Sequence, residues 1–391
     1  MNTTILNKEI QEYINANLKS DMTKLILKGT NFDEVTTQEI AEQIVSKNKC
    51  KTKLPTWFQK ENIYYPNKLN IEQTSSEITA NYKANLVSGN SLIDITGGFG
   101  VDTYYFSKKI KNITHCEINQ ELSKIVSHNN KQFNLKNIET FVGNGLSYLE
   151  KSDSKFDWIY SDPSRRNDRK GKVFLLQDCL PNIPENLELL FKKTDHILLK
   201  ISPMLDISSA INELNFVKEI HVVSVENEVK ELLFILEKNY IQHIDIKTIN
   251  FNKNNIQTFD FNYQEELVAT YSEPKKYLFE PNSAILKAGA FNQISAQLKI
   301  DKLHQHSHLY TSTNLSEFPG RSFQIKHVIS YNKKELTKLI PSKKANITTR
   351  NFPETVSQIR KKTNLKEGGN DYLFFTTNLH NKHIVIICEK V

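Results

Sequence analysis

The most informative chemistry in the sequence lies in residues 92–103, LIDITGGFGVDT. An apolar strand is predicted to end at Asp94, and the chain then turns through Gly97, Gly98 and Gly100. Glycine lets a ligand approach the backbone where a Cβ would collide with it, and the N-terminus of the helix predicted to follow suits an anionic group. The segment therefore predicts a site for an amino-acid-like ligand, with the Asp94 carboxylate accepting from its ammonium group.

Polar residues at the ends of three further predicted strands extend this site. Glu117 ends the next strand, 19 residues after Gly98, where an acidic side chain can accept two hydrogen bonds from a ribose diol. Asn144 follows the third strand, and its side-chain oxygen could meet an adenine amino group. The fourth strand ends at Asp162. Because ligands of open α/β sheets lie outside the carboxyl ends of the strands, the four segments predict one nucleoside-binding site.

The arrangement favours S-adenosylmethionine (SAM) over a nicotinamide dinucleotide. A dinucleotide fingerprint would read G-x-G-x-x-G directly after the strand, whereas here an acidic residue precedes the glycines and no third glycine stands at the expected offset. The residues that we assign to the cofactor are Asp94, Thr96, Gly97, Gly98, Gly100, Asp102, Thr103, Glu117, Asn144 and Asp162.

The tetrapeptide Asp162-Pro163-Ser164-Arg165 is the predicted catalytic segment. Methyl transfer from a sulfonium requires a nucleophile held in line and, for an exocyclic amine, an acceptor that orients its N–H groups. Asp162 and the carbonyl of Pro163 or Ser164 could supply that acceptor, while Arg165 and Arg166 would lie where a phosphate or base approaches. The alternative is that Asp162 is only a turn residue before a proline.

Seven apolar runs alternate with helical stretches between residues 91 and 237 and would place these side chains. They predict right-handed βαβ units in an α/β, Rossmann-like, mostly parallel seven-stranded sheet that closes with a hairpin. Lys200, near the end of the fifth run, would line the far side of the pocket or form a structural turn. The runs are SLIDIT (91–96), NITHCEI (112–118), IETFVG (138–143), FDWIYSD (156–162), HILLKIS (196–202), EIHVVSV (219–225) and ELLFILE (231–237).

Composition limits the class of protein. A hydrophobic fraction of 38% and a charged fraction of 24% are typical of globular chains. No apolar run approaches the ~18 residues of a membrane span, and the N-terminus lacks a secretory pattern. The four cysteines are widely spaced, which predicts reduced thiols in a cytoplasmic protein with no metal site. His304, His306 and His308 alternate on one predicted strand and are interpreted as surface residues rather than metal ligands.

The positive charge is concentrated at the C-terminal end. Residues 321–391 hold 14 Lys/Arg against 5 Asp/Glu, although the whole chain carries a net charge of +7. Such asymmetry indicates either a nucleic-acid partner or a solvated lysine-rich surface. Residues 326–391 have the pattern β–α–β–α–β–β, which predicts a small α/β module. The candidate substrate contacts, to which Arg166 and Lys200 also belong, are Arg350, Arg360, Lys361 and Lys362.

Over most of its length the sequence resembles bacterial class I SAM-dependent methyltransferases with a C-terminal THUMP-like domain, found largely in the Bacteroidetes. One departure from that family is Ser164, where alanine is common; Arg165 stands where amine-methylating enzymes often carry an aromatic residue. The resemblance rests on QTSSEITANYKA (73–84), DITGGFGVDT (94–103), SDPSRR (161–166), LLKISPMLDI (198–207), YLFEPNSAILKAGAF (277–291), LYTSTNLSEFPGR (309–321), RNFPETVSQIRKK (350–362) and EGGNDYLFF (367–375).

The resemblance implies four regions: an N-terminal helical region (1–72), a Rossmann-like SAM-dependent methyltransferase domain (73–265), a ferredoxin-like segment (266–325) and a THUMP-like domain (326–391). The resemblance does not identify the substrate. Because THUMP domains accompany RNA-modifying enzymes and the basic excess lies in the same segment, we expect an RNA methyltransferase, and the role assigned to Asp162 favours a base amine as its target. Two alternatives stay open: a methyltransferase of DNA, protein or a small molecule, and a non-catalytic RNA-binding protein that retains a degenerate cofactor fold.

Overall fold

Helical spacing of apolar residues in the first 90 positions gives six α-helices in the computed structural model of this chain, which describes residues 1–165 and 175–391. Ile40 and Ile44 lie one turn apart and are both buried. A capping box between Thr36 and Glu39 begins the longest of these helices. The six helices are α1 (Lys8–Ala16), α2 (Met22–Lys28), α3 (Thr37–Lys53), α4 (Pro55–Gln59), α5 (Lys68–Gln73) and α6 (Glu77–Ala84).

From residue 91 strands alternate with helices, as the period of the apolar runs predicts. The strands β1, β2, β3, β4 and β7 pair in parallel with their neighbours. The elements are β1 (Ser91–Asp94), α7 (Val101–Phe106), β2 (Asn112–Glu117), α8 (Gln120–Gln132), β3 (Ile138–Val142), α9 (Gly145–Lys151), β4 (Trp158–Ser161), β5 (Ser164–Arg165), β6 (Cys179–Leu180), α10 (Ile183–Lys193), β7 (His196–Ile201), α11 (Ile207–Glu213), β8 (Val217–Val225) and β9 (Glu228–Glu237).

The seven predicted strands lie in one sheet in the order β8-β9-β7-β4-β1-β2-β3. A two-residue turn joins β8 to β9, and both of its residues, Glu226 and Asn227, have positive φ, as type I′ hairpins require. The predicted Rossmann-like, mostly parallel architecture with a closing hairpin is therefore confirmed. The sheet is larger than the seven strands predicted. Residues 238–265, which the sequence allows to be either a polar linker or added strands, add β10 (Asp245–Phe251) beside β8 and then β11 (Ile256–Asn262).

The chain divides into two compact units, and the division passes through the β8–β9 hairpin. The first unit comprises Met1–Lys218 and Leu233–Gln242, and the second comprises Glu219–Leu232 and His243–Val391. The division into four regions at the boundaries given above stays a prediction.

In the second unit, a sheet of seven strands has the order β13-β14-β12-β15-β18-β17-β16. Its last six elements follow the predicted β–α–β–α–β–β pattern, although the first strand begins at Gly320 rather than near residue 327. Two apolar clusters built around Phe375 and Phe374 form its core. The elements are β12 (Tyr277–Pro281), α12 (Ser283–Ala288), α13 (Phe291–Leu298), β13 (Asp301–Lys302), β14 (Tyr310–Ser312), β15 (Gly320–Ser330), α14 (Lys333–Leu339), β16 (Asn346–Arg350), α15 (Val356–Thr363), β17 (Asp371–Thr377) and β18 (His383–Lys390).

The strand predicted through His304, His306 and His308 is wrong. These residues lie in the turn between β13 and β14, where the Ser307 N–H donates to the His304 carbonyl (3.3 Å) and His308 has a φ of +51°. The His308 ring stacks on Phe291 with ring centres 3.6 Å apart. Within residues 1–165 and 175–391, we find no group of side chains arranged for a metal ion and no helix long and apolar enough to cross a membrane.

Candidate cofactor and active site

Asp94 ends β1 and lies beneath the glycine turn. Its side chain is buried; Oδ1 accepts from the backbone N–H of Thr96 (3.0 Å) and from the Thr96 hydroxyl (3.3 Å). Oδ2 accepts from the hydroxyl of Thr103 at 2.9 Å. Burial raises the pKa of Asp94 to about 7, although the bonds from Thr96 and Thr103 favour its ionised form. A carboxyl with this pKa changes charge near neutrality and is sensitive to any cation that binds beside it.

Thr96 joins the ends of β1 and β4. Its hydroxyl, which donates to Asp94, also accepts the backbone N–H of Asp162 at 2.7 Å. The two strands are neighbours in the sheet, so their carboxyl ends lie side by side. The predicted cofactor turn and the predicted catalytic segment are therefore connected by one side chain.

Glu117 joins the end of β2 to the same turn. Its Oε2 accepts the backbone N–H of Gly98 at 2.8 Å, and its Oε1 accepts the N–H of Asn119 at 2.7 Å. A carboxylate has about four acceptor positions, so two positions are left for hydroxyl donors such as a ribose diol. Gly98 has a φ of +57°, and a Cβ built there meets only the Thr96 carbonyl oxygen, at 3.8 Å. This stretch of backbone is thus open to a ligand next to the Glu117 carboxylate.

Gly97 is required for a reason that the sequence did not reveal. A Cβ built on Gly97 would lie 2.3 Å from Nε2 of His115, a fully buried residue of β2. Burial lowers the pKa of His115 to about 4, so the ring is neutral at physiological pH. Sequence reasoning attributed all three glycines to ligand approach, whereas Gly97 is a packing contact with the sheet below.

We expect Gly97→Ala to destabilise the fold by about 1–3 kcal/mol, the usual cost of forcing an extra carbon into a packed interior. Urea unfolding followed by circular dichroism measures the loss. The double variant Gly97→Ala/His115→Ala provides the control, because removal of the imidazole makes room for the new methyl group. A single variant as stable as the wild type would contradict the packing role.

Asp102, at the start of α7, belongs to a buried polar network. Its carboxylate lies 3.2 Å from Nζ of Lys83 and accepts from the hydroxyls of Ser75 (2.9 Å) and Tyr160 (2.7 Å). Burial acts to raise the pKa of Asp102, but the nearby Lys83 and Lys200 outweigh it and hold the pKa below its ordinary value. Because Lys83 is fully buried on α6, this network fixes α7, and with it the glycine turn, against the N-terminal helices.

Lys200 pairs with the predicted catalytic carboxylate. Its ammonium lies 2.5 Å from Oδ2 of Asp162, and the two side chains are 12% and 36% exposed. Oδ1 of Asp162, which we call the outer oxygen of the pair, accepts no hydrogen bond from any residue that the structure describes. Lys200 was interpreted from the sequence as a possible substrate contact, and its position instead allows it to orient Asp162.

Asn144 caps α9. Its side-chain oxygen accepts the backbone N–H groups of Leu146 (2.9 Å) and Ser147 (3.1 Å), so its capping role is clear, while contact with a base stays a prediction. The following Gly145 packs on β1, where a Cβ would lie 2.5 Å from the Cβ of Ile95. This contact holds the loop after β3 against the glycine turn, so all four predicted loops converge at one edge of the sheet.

The remainder of the predicted catalytic segment is partly described. Pro163 is buried, Ser164 is exposed, and Ser164 and Arg165 form the short strand β5 that pairs with β6. Arg166 lies outside the described residues.

Two of the predicted substrate contacts have partners inside the second unit. Arg350 donates to the buried Glu280 at 3.0 Å, and Arg360 donates to the carbonyls of Ala345 and Leu365, both at 3.2 Å. By contrast, Lys361 and Lys362 on α15 are exposed, and Lys362 pairs with Glu354.

Three important residues were missed by sequence reasoning: His115, Tyr160 and, as a partner of Asp102, Lys83. Lys83 lies within the motif at residues 73–84. That motif indicated the segment but not that Lys83 pairs with Asp102. His115 and Tyr160 are ordinary strand residues in the sequence, and no local pattern marks them.

The mostly parallel Rossmann-like sheet with its closing hairpin has the fold of a methyltransferase-type α/β protein, and comparisons with known proteins agree on the fold. A model of THUMP domain-like sequences matches residues 320–390, and a model of a ferredoxin-like domain matches residues 277–319. The structure is similar to that of a protein assigned as a methyltransferase from Porphyromonas gingivalis W83, with 30% identity, a TM-score of 0.88 and coverage of 98% of each chain. The chain therefore belongs to the same bacterial, Bacteroidetes-type family, with ferredoxin-like and THUMP-like domains at its C-terminal end.

Other solved structures match only part of the chain. An rRNA methylase from Streptococcus thermophilus is 14% identical over 42% of this chain and 98% of that chain, with a TM-score of 0.31. TrmK of M. capricolum, solved with S-adenosylhomocysteine, is 19% identical over 41% of this chain and 68% of that chain, also with a TM-score of 0.31. TM-scores this low support no inference about this chain. The comparison with curated proteins finds no match.

Proposed function

We propose that the chain is a cytoplasmic class I SAM-dependent methyltransferase that acts on RNA, with a base amine as its target. The observation that carries the proposal is the pair of hydrogen bonds that draws three strand ends together. Thr96 bonds the backbone of Asp162, and Glu117 bonds the backbone of Gly98. Such a group of fixed acceptors at the carboxyl edge of the sheet is where an adenosine-containing ligand binds in this class of fold.

The residues present fit SAM in their chemistry. Glu117 offers acceptor positions to a ribose diol, the open backbone at Gly98 allows close approach, and ionised Asp94 favours a nearby ammonium group. In the proposed cofactor site, a second set of residues shapes the glycine turn: Thr96, Gly100, Asp102 and Thr103. Their side chains or backbone hold Asp94 and α7 in place.

Bound SAM supplies the methyl group, carried on a sulfonium. Asp162 acts on the acceptor: its outer carboxylate oxygen accepts an N–H of the target amine and so directs the nitrogen lone pair toward the methyl carbon. Lys200 holds Oδ2 and thereby orients the carboxylate. After transfer, the same outer oxygen takes the surplus proton of the methylated amine and passes it to solvent.

RNA is favoured as the substrate by the C-terminal part of the chain. The THUMP domain-like match covers residues 320–390, where the basic excess also lies. A polyanionic partner would be attracted by that charge. A methyltransferase that acts on DNA or protein would not need a THUMP-like module. DNA and protein therefore rank second as substrates.

We expect total RNA from a strain lacking this gene to lose one methylated nucleoside relative to the wild type. Mass spectrometry of digested RNA measures the change, because methylation adds a fixed mass to one nucleoside. Complementation with the wild-type gene should restore the signal, and complementation with Asp162→Ala should not. An unchanged nucleoside profile, together with methyl transfer to DNA or protein by the purified enzyme, would refute the RNA assignment.

A further inference from the structure

Four exposed lysines of the second unit lie at the start of β16 and at the C-terminal end of α15. Lys343 and Lys344 precede β16, Lys361 lies in the last turn of α15, and Lys366 follows that helix. We call this set the lysine corner. Sequence reasoning named Lys361 as a candidate contact but did not recognise the four as a set, since they are distributed over 24 positions of the chain.

Backbone hydrogen bonds bring the two segments of the lysine corner together. The N–H of Lys366 donates to the carbonyl of Lys343 at 2.9 Å, and the N–H of Ala345 donates to the carbonyl of Lys366 at 2.9 Å. Lys344 and Lys366 form a parallel bridge. Neighbouring backbones of this kind lie about 5 Å apart, so Lys343, Lys344 and Lys366 start from neighbouring positions.

Arg360 fixes this geometry from within. Its guanidinium donates to the carbonyls of Ala345 and Leu365, the residues next to Lys344 and Lys366. It thereby clamps the two lysine-bearing segments to α15. Arg360 is consequently a support of the basic surface and not itself a contact.

Among the residues that the structure describes, the charges of the lysine corner are not neutralised by neighbouring carboxylates. Elsewhere in this unit, Lys326 pairs with Glu389 (2.6 Å) and Lys362 pairs with Glu354 (2.9 Å). In the part of the chain that the structure describes, no carboxylate forms an ion pair with any of the four corner lysines. Like charges held together without counter-charges repel one another, and a polyanion relieves that repulsion.

We propose that the lysine corner binds the phosphate backbone of the RNA substrate. This inference rests on the proposed function for the identity of the polyanion, and it replaces Arg350 and Arg360 as backbone contacts. Lysine ammonium groups contact phosphates as point charges and carry no base specificity. The corner therefore contributes affinity and salt dependence, while recognition of the target base belongs to the methyltransferase site.

The salt dependence of binding provides the measurement. Each phosphate contact contributes about 0.7–0.9 to the slope of log affinity against log salt, so four contacts contribute about 3. In the full-length protein, we expect the quadruple variant K343Q/K344Q/K361Q/K366Q to bind a fluorescein-labelled RNA hairpin with a slope reduced by about 3. We also expect its affinity in 50 mM salt to fall by about 100-fold.

The matched control removes the same charge from other exposed positions of the same unit. The variant K299Q/K333Q/K334Q/K382Q should retain at least two thirds of the wild-type slope. Equal losses in both variants would overturn the proposal, because net charge rather than the corner would then govern binding. So would a quadruple corner variant that binds like the wild type.

Methyl transfer from labelled SAM to bulk RNA, measured on the same proteins, separates the two proposals. Corner-dependent RNA binding without any methyl transfer to RNA would refute the proposed function and leave the corner in place. RNA methylation that is equally efficient in the wild type and the corner variant, with equal RNA affinity, would refute the corner and leave the proposed function.

Discussion

Replacing Asp162 by alanine should reduce kcat about 1,000-fold, within the range that a positioned acid–base group contributes. SAM affinity should change less than about threefold, because the backbone N–H that bonds Thr96 persists in the variant. The physical reason is that only the outer carboxylate oxygen orients the amine, whereas the cofactor turn is held by the main chain of residue 162. Single-turnover methyl transfer and SAM titration calorimetry measure the two quantities.

Lys200→Met is the matched comparison for Asp162→Ala. It removes the ammonium beside Oδ2 of Asp162 but keeps the carboxylate. We expect a smaller loss of kcat, on the order of tenfold to 100-fold, because the carboxylate remains but is no longer held in one orientation. If Asp162→Ala retained full kcat on an RNA that the wild-type enzyme methylates, the assignment of this carboxylate to the reaction would be wrong.

Replacing Asp94 should have the largest effect on cofactor binding. We expect Asp94→Ala to weaken SAM binding at least about 100-fold, because a charge-assisted hydrogen bond is lost and the donors Thr96 and Thr103 lose their common acceptor. The isosteric Asp94→Asn tests the charge alone. The fold of both variants should be verified by urea unfolding, since a buried donor without an acceptor also destabilises the protein.

The raised pKa of Asp94 predicts a pH dependence with a definite sign. With a pKa of about 7, the carboxyl is mostly neutral at pH 6 and mostly ionised at pH 7.5. A cationic ammonium favours the ionised form, so SAM affinity should increase roughly tenfold between these pH values. Asp94→Asn should remove that dependence. Affinity that is constant over this range in the wild type would show that Asp94 does not respond to the charge of the ligand.

The same titration acts in the opposite direction on the ligand-free fold. A carboxyl whose pKa is raised by burial contributes stability that is present at low pH and is lost as the pH rises through 7. The free energy of unfolding should therefore depend on pH differently in the wild type and in Asp94→Asn. This difference between the two proteins should be larger without SAM than with SAM bound.

Much of the first unit could be predicted from the sequence, because its information is local. Alternation of apolar runs with helical periods predicted the seven strands β1 to β4 and β7 to β9, and the short gap at residues 226–230 predicted the closing hairpin. The short strands β5 and β6 were not predicted. Strand ends are readable in the same way, so Asp94, Glu117 and Asp162 were found at the edge where the structure places them. The pattern could not decide whether residues 238–265 form a linker or the added strands β10 and β11, since this stretch is rich in polar residues.

By itself, the sequence determined which residues end each strand, where the chain must turn, and that positive charge is concentrated after residue 320. Only the tertiary structure decided the partners: that Lys83 neutralises Asp102, that Lys200 holds Asp162, that His115 requires a glycine at position 97, and that Arg360 supports a surface while neighbouring lysines form it. The physical reason is distance along the chain. Propensity and periodicity act over a few residues, whereas these contacts join residues separated by up to 38 positions and depend on how packed elements orient their side chains.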